Sequence, residues 1–178
     1  MKDRGFTLME VLVAMSILCV AALGSIQLVT VATGMLSRAR ADSLAATLAA
    51  SRMEQLRALR FDFDNAGLPV TDLSTDLSIE PASSAGPGLA PGGGTSLDAN
   101  VGGYADFIDR NGGWLGGGTS PPPGTAFVRR WSIENFDPAG DLIVVQVLVR
   151  PVFAGTAAGK DRVAGEARFV SLRARTRP

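Results

Sequence analysis

The chain has 178 residues, with 17 basic and 17 acidic side chains and no formal net charge. That length suits one modest domain, and the balanced charge gives no global field to draw it to nucleic acid or a membrane surface. Histidine is absent and Cys19 is the only cysteine, which removes the commonest general base, the commonest metal ligand and any intramolecular disulfide.

The first element is an apolar helix. From Phe6 to Val31 the chain offers about 26 residues, against the ~20 that span hydrocarbon, with Val11, Leu12, Val13, Ile17, Leu18 and Leu23 among them. Lys2 and Arg4 precede this run and no basic residue follows until Arg38, so the positive-inside rule leaves the N-terminus cytoplasmic. Glu10 is the anomaly. A charge near the bilayer centre costs roughly 2.5–3.5 kcal/mol, and such residues are by default functional. Between Val11 and Leu23 nothing offers a cation; the nearest candidate is the amine that a cut before Phe6 would create. The plain alternative is an interfacial glutamate close to the headgroups. A secretory signal would use the same basic start and apolar run, with Ala22-Leu23-Gly24 as its cleavage site, but Glu10 is the wrong residue for that task. A lipoprotein signal needs a small residue before the cysteine, and Leu18 precedes Cys19. Ser16, Cys19, Ala22 and Gly24 are small enough to permit close helix packing, although background composition explains them equally well.

The helical pattern continues beyond the apolar run. Ser37 to Arg60 contains no Pro or Gly and is rich in strong helix formers. Ala41, Leu44, Ala45, Leu48, Ala49, Leu56 and Leu59 fall within a face of roughly 140°, with Arg38, Asp42, Glu54, Arg57 and Arg60 at its edge or beyond. Arg52 intrudes near the middle of the stripe, and the simple pattern does not explain it. The expected element is one helix from Phe6 to about Arg60, some 80 Å long at about 1.5 Å per residue. Its first half (residues 6–31) is apolar all round and its second half (32–60) amphipathic. Gly24 and Gly34 weaken it locally, by about 1 kcal/mol each relative to Ala.

Residues 61–124 read as a connecting region. Phe61 to Ile79 is an irregular connection, with Asp64-Asn65-Ala66-Gly67 ending the helix and Pro69 preventing its return. From Pro81 to Gly124 the composition shifts to Gly, Pro, Ser and Thr, with runs at 92–94, 116–118 and 121–123. Leu97, Val101, Tyr104, Phe107, Ile108, Trp114 and Leu115 would pin this loop to the domain. Residues 125–178 read as β. Thr125 to Phe136 places Phe127, Trp131 and Ile133 on one side, Arg129 being the exception. Residues 137–141 give a hairpin signal. Leu142 to Val149 is almost continuously apolar, as for a strand covered on both faces. Gly155 to Asp161 turns the chain, and Gly165 to Arg173 forms a third strand. The expected fold class is α+β, with an antiparallel sheet on the amphipathic half of the helix.

Lys2-Asp3-Arg4-Gly5-Phe6-Thr7-Leu8-Met9-Glu10-Val11-Leu12-Val13-Ala14 resembles the class III signal of type IV pilins and pseudopilins. The resemblance implies a leader of residues 1–5, cut by a prepilin peptidase between Gly5 and Phe6. It also implies N-methylation of Phe6 and makes Glu10 the buried assembly glutamate at mature position five. In the family this carboxylate meets the amine of a neighbouring subunit entering the filament. Ser51-Arg52-Met53-Glu54-Gln55-Leu56-Arg57-Ala58-Leu59, the Gly/Pro-rich middle and the closing hairpin resemble PilV-type minor pilins. The implied partners are other minor pilins and the major pilin, an inner-membrane assembly platform and membrane lipid. The implied role is to prime or cap the filament. The subunit would sit in the inner membrane with a periplasmic C-terminal domain, then in the pilus at the cell surface. An I-type pseudopilin of type II secretion shares the same opening, and a soluble periplasmic binding protein with a cleaved signal is the third alternative. Many pilins close a loop near the C-terminus with a disulfide, from which this sequence departs.

Other constellations carry less. Asp106 to Gly112 has some of the spacing of a calcium loop, but an EF-hand needs an acidic residue at Phe107 and a glutamate at Gly118. A different oxygen-ligand site on Asp106 and Asp109, or a polar turn, stays open. Arg168, Arg173, Arg175 and Arg177 make the C-terminus basic, either for phosphate contacts or as a solvated edge strand. The glycine runs lack phosphate-binding spacing and no nucleophile–base pair is visible. The expectation is therefore no enzyme, no cofactor, no metal, no small-molecule substrate and no nucleic-acid partner.

Overall fold

The computed structural model describes residues 7–92, 95–152 and 165–176. One helix, α1 (Leu8–Ala58), is followed by strands β1 (Phe61–Phe63), β2 (Pro69–Thr71), β3 (Ala105–Ile108), β4 (Trp114–Gly117), β5 (Phe127–Asn135), β6 (Leu142–Pro151) and β7 (Ala167–Ala174). Two compact units divide between Ala39 and Arg40, within α1.

In the first unit every described residue from Thr7 to Ala39 is exposed. Gly24 and Gly34 do not interrupt the helix. Its hydroxyls are satisfied by the helix itself: Ser16, Ser25 and Thr30 each donate to the carbonyl four residues back, at 2.9 Å. Thr33 and Ser37 donate three residues back, at 3.0 and 2.9 Å. Such back-bonding suits a medium that offers no water to polar side chains.

The second unit is α+β. Its five-stranded antiparallel sheet has the order β4-β3-β5-β6-β7. Ala45, Leu48, Ala49, Met53 and Leu56 of α1 pack in one core with Phe127, Trp131 and Ile133 of β5 and Ile143, Val145, Val147 and Val149 of β6. Ala45 and Ala49, both fully buried, let the helix backbone approach the sheet. The amphipathic stripe therefore does what its spacing foretold.

Four expectations are corrected. The helix ends at Ala58, before the proposed stop, because the fully engaged Phe61 (3% exposed) turns the chain into the core. Residues 61–71 are not irregular: β1 and β2 form an antiparallel hairpin. Asp64 accepts the Ala66 and Leu68 amides at 2.8 Å, and Gly67 takes a φ of 77°, so residues 64–67 make that hairpin's turn. The Gly/Pro-rich region contributes β3 and β4 to the main sheet rather than serving only as a loop. Finally, β6 is not covered alike on both faces. Its odd-numbered residues 143–149 are buried against α1, whereas Leu142, Val144 and Gln146 on the outer face are half-buried. The outer face is covered in part by residues 95–100, which Arg130 ties down through the carbonyls of Leu97 (3.0 Å) and Asp98 (3.1 Å) and Asn100 Oδ1 (2.8 Å). The turn expected at 155–161 lies outside the described residues.

Candidate functional site

The N-terminal helix starts at a cap. Thr7 precedes the first helical residue, and the Glu10 amide donates to Thr7 Oγ1 at 3.3 Å and to the Thr7 carbonyl at 3.1 Å. Thr7-Leu8-Met9-Glu10 therefore has the Thr-x-x-Glu spacing of a capping box, with Glu10 at the third helical position. A carboxylate there also faces the positive end of the helix macrodipole. This local role is a second reason for a glutamate at position 10, and the Thr7–Glu10 spacing carries it in the sequence.

The cap does not exhaust the carboxylate. Between Thr7 and Ser37 Glu10 is the only formally charged residue, and its carboxylate has no ion-pair partner among the described residues. It borders an apolar groove on the helix surface formed with Val11, Ala14, Met15 and Leu18. Leu12, Val13, Ile17 and Leu23 are exposed as well, and Cys19 is a free, exposed thiol. The helix contains a window of mean hydropathy 2.3 with none of it buried, long and apolar enough to cross a membrane once. Gly5 and Phe6, where cleavage and methylation are expected, lie outside the described residues.

The first 26 residues match a family model. It is the prokaryotic N-terminal methylation motif, over residues 1–26. The motif points to a type IV pilin-like chain processed by prepilin peptidase. No curated protein and no solved structure matches the chain.

The residues that sequence reading could not place in the domain form a second polar centre, closed rather than open. Arg52 of α1 and Arg129 of β5, both anomalies in apolar patterns, converge on Asp106 of β3. Asp106 Oδ2 accepts from Arg52 at 2.5 Å and from Arg129 at 2.6 Å, and Oδ1 accepts from Arg129 Nε at 3.0 Å. Arg52 also donates to the Leu77 carbonyl and lies 4.6 Å from the Trp131 ring centroid. Arg129 reaches back to the Leu48 carbonyl at 3.2 Å and Ser51 Oγ at 3.3 Å. Burial pulls the Arg52 guanidinium down to about 10, a shift that Asp106 opposes and Arg129 reinforces. It stays charged at neutral pH.

This geometry corrects the oxygen-ligand reading of Asp106 and Asp109. Asp106 is fully buried between two guanidinium groups that would repel a cation. Asp109 is the polar turn, accepting the amides of Asn111 (2.7 Å) and Gly113 (2.8 Å). Among the described residues no three His, Cys, Asp or Glu side chains stand together as metal ligands.

The C-terminal arginines also differ from expectation. Arg173 donates to the Leu56 and Leu59 carbonyls at 3.2 and 2.7 Å, filling acceptors left open at the end of α1. Burial lowers its pKa. Arg175, with its side chain 6% exposed, bonds Asp141, the carbonyls of Asp62, Val70 and Gly140, and Thr71 Oγ1, and stacks 4.2 Å from the Phe61 centroid. Both are consumed by the fold, so neither is a solvated edge residue or a phosphate contact. Arg168 remains on the surface beside Gln146, at 2.5 Å, and Arg177 lies outside the described residues.

Proposed function

We propose that the chain is a minor pilin of the PilV type. A prepilin peptidase cuts it between Gly5 and Phe6 and methylates Phe6, and the mature subunit assembles through its N-terminal helix to prime or cap a type IV pilus. The reading rests above all on one observation. The methylation motif opens a wholly exposed apolar stretch of helix, residues 7–37, whose single charge, Glu10, has no counter-ion among the described residues. Cleavage would put an ammonium at the positive end of the macrodipole, an unfavourable place for a cation. Glu10 lies four residues further along and within reach of that charge. When helices gather in a low-dielectric bundle, joining the amine of one subunit to the carboxylate of the next fixes their axial register and relieves two desolvated charges. The leader is cytoplasmic and the sheet periplasmic before assembly. Other minor pilins, the major pilin and the inner-membrane assembly platform are its partners.

Mass spectrometry of the mature protein tests this reading. An N-terminal peptide beginning at methylated Phe6 is expected, and Gly5→Ala should accumulate uncut precursor. A mature end at Ser25 would establish a secretory signal instead, and an end at Met1 would remove the proposed processing altogether.

A further inference from the structure

The apolar stretch of α1 ends at a cation that the fold leaves unused. Arg38 is the first charged residue after Glu10. It is exposed, and it has no hydrogen-bond or ion-pair partner among the described residues. Arg40 and Asp42 follow in the sequence, so these three charges sum to one positive. Asp42 has the spacing to answer Arg38 within a helix, but its carboxylate accepts the Gly165 amide at 2.5 Å instead.

Helical geometry says what lies level with this cation. Glu10 and Arg38 are about 42 Å apart at about 1.5 Å per residue. A bilayer measures ~40–45 Å across its headgroup layers, of which hydrocarbon fills ~30 Å. With Glu10 in one headgroup layer, Arg38 falls in the other. Its aliphatic stem can lie along the apolar helix while its head stays with the phosphates, and a planar guanidinium matches their oxygens as a bidentate fork. An acidic protein surface would answer the same charge, but the agreement between this spacing and the bilayer favours lipid.

We propose that Arg38 binds lipid phosphate in the headgroup layer opposite Glu10 and so sets the depth at which α1 sits in the membrane. The inference rests on the reading of the apolar stretch as a membrane span.

The test measures the depth of a fluorescent label at position 32 of the full-length chain, in vesicles of phosphatidylethanolamine and phosphatidylglycerol, with lipids that carry quenchers at known depths. Ala32→Cys in a Cys19→Ser background gives a single attachment point, because Cys19 is the only cysteine. Arg38→Leu makes Arg40 the first cation and should carry the label about 3 Å toward the bilayer centre. Met35→Arg brings the first cation nearly one turn earlier and should carry the label about 4.5 Å outward. Arg38→Lys keeps a charge that reaches the same layer and should leave the depth unchanged, which guards against an effect on folding. Both shifts should shrink in vesicles of a glycolipid without phosphate.

An unchanged depth in Arg38→Leu and Met35→Arg, or shifts of the same sign, would overturn the proposal. Shifts that persist undiminished in the glycolipid would overturn it too, since water rather than phosphate would then hold the guanidinium. An alkaline wash of the same vesicles separates the two readings. A chain that washes off refutes the span itself, whereas a chain that stays while its depth ignores these substitutions refutes only the anchor.

Discussion

Residues 7–39 and residues 40–176 each place a charge in an apolar stretch of α1, and they treat it oppositely. In the first unit Glu10 stands among exposed Leu, Val and Met side chains, with neighbouring hydroxyls satisfied by their own helix and no cation within the described residues. In the second unit Arg52 stands in a buried stripe, its charge met by Asp106 and its guanidinium also held by the Leu77 carbonyl and the face of Trp131. A charge that its own chain satisfies belongs to the fold. A charge that its own chain leaves open directs the search for a partner outside it, so the two anomalies call for different experiments.

The largest effect expected from breaking this contrast lies in the buried centre. Asp106→Ala leaves two guanidinium groups buried without a counter-charge and should cost about 3–5 kcal/mol, read as a fall in the denaturant midpoint of the full chain in detergent. A loss below about 1 kcal/mol would mean that water reaches these groups. Next comes the C-terminal clamp. Arg175→Ala strands several backbone acceptors and removes the stack on Phe61, for about 2–3 kcal/mol. Arg175→Lys should recover only part of this, because an ammonium lacks the planar fork.

What the sequence hid follows from the same chemistry. The stripe from Ala41 to Leu59 and strand β5 were legible because their apolar residues recur at the period of their element, and β6 because it is a short β-branched apolar run bounded by turn signals. Strand β4 was not, because two of its positions are glycine, and one of them, Gly117, is so for a reason external to the strand. A Cβ on Gly117 would lie 2.2 Å from the Ser78 carbonyl oxygen, which also accepts from Trp114 Nε1 at 3.2 Å. Strand β3 is buried at every position, so it shows no alternation, and its Asp106 looks like a turn residue until Arg52 and Arg129 are brought beside it. Two misplaced like charges in apolar patterns were the available signal that one buried acid had to exist. At the N-terminus Glu10 is conspicuous as a charge in an apolar run, whereas its capping geometry with Thr7 shows only in the Thr-x-x-Glu spacing.

The smallest effect sharpens the contrast at the surface. Hydrogen bonds from Thr75 and Ser74 hold the Asp72 carboxyl below its ordinary value of 3.8, against a smaller opposing effect of burial. A depressed carboxylate adds stability above its unfolded pKa and loses it as pH falls through the folded value. Asp72→Asn should therefore cost about 0.5–1 kcal/mol at neutral pH. The difference from wild type should shrink below about pH 3.8, followed by thermal melts across pH.

Glu10→Gln is the most direct measurement of the central claim, because glutamine can still serve a capping box but cannot supply a carboxylate. With charge as the operative property, the variant should be cut to Phe6 and methylated like the wild type, retain its fold, and be depleted at least about tenfold from sheared filaments. Incorporation at the wild-type level would show that position 10 acts only as a helix cap, and would contradict the account.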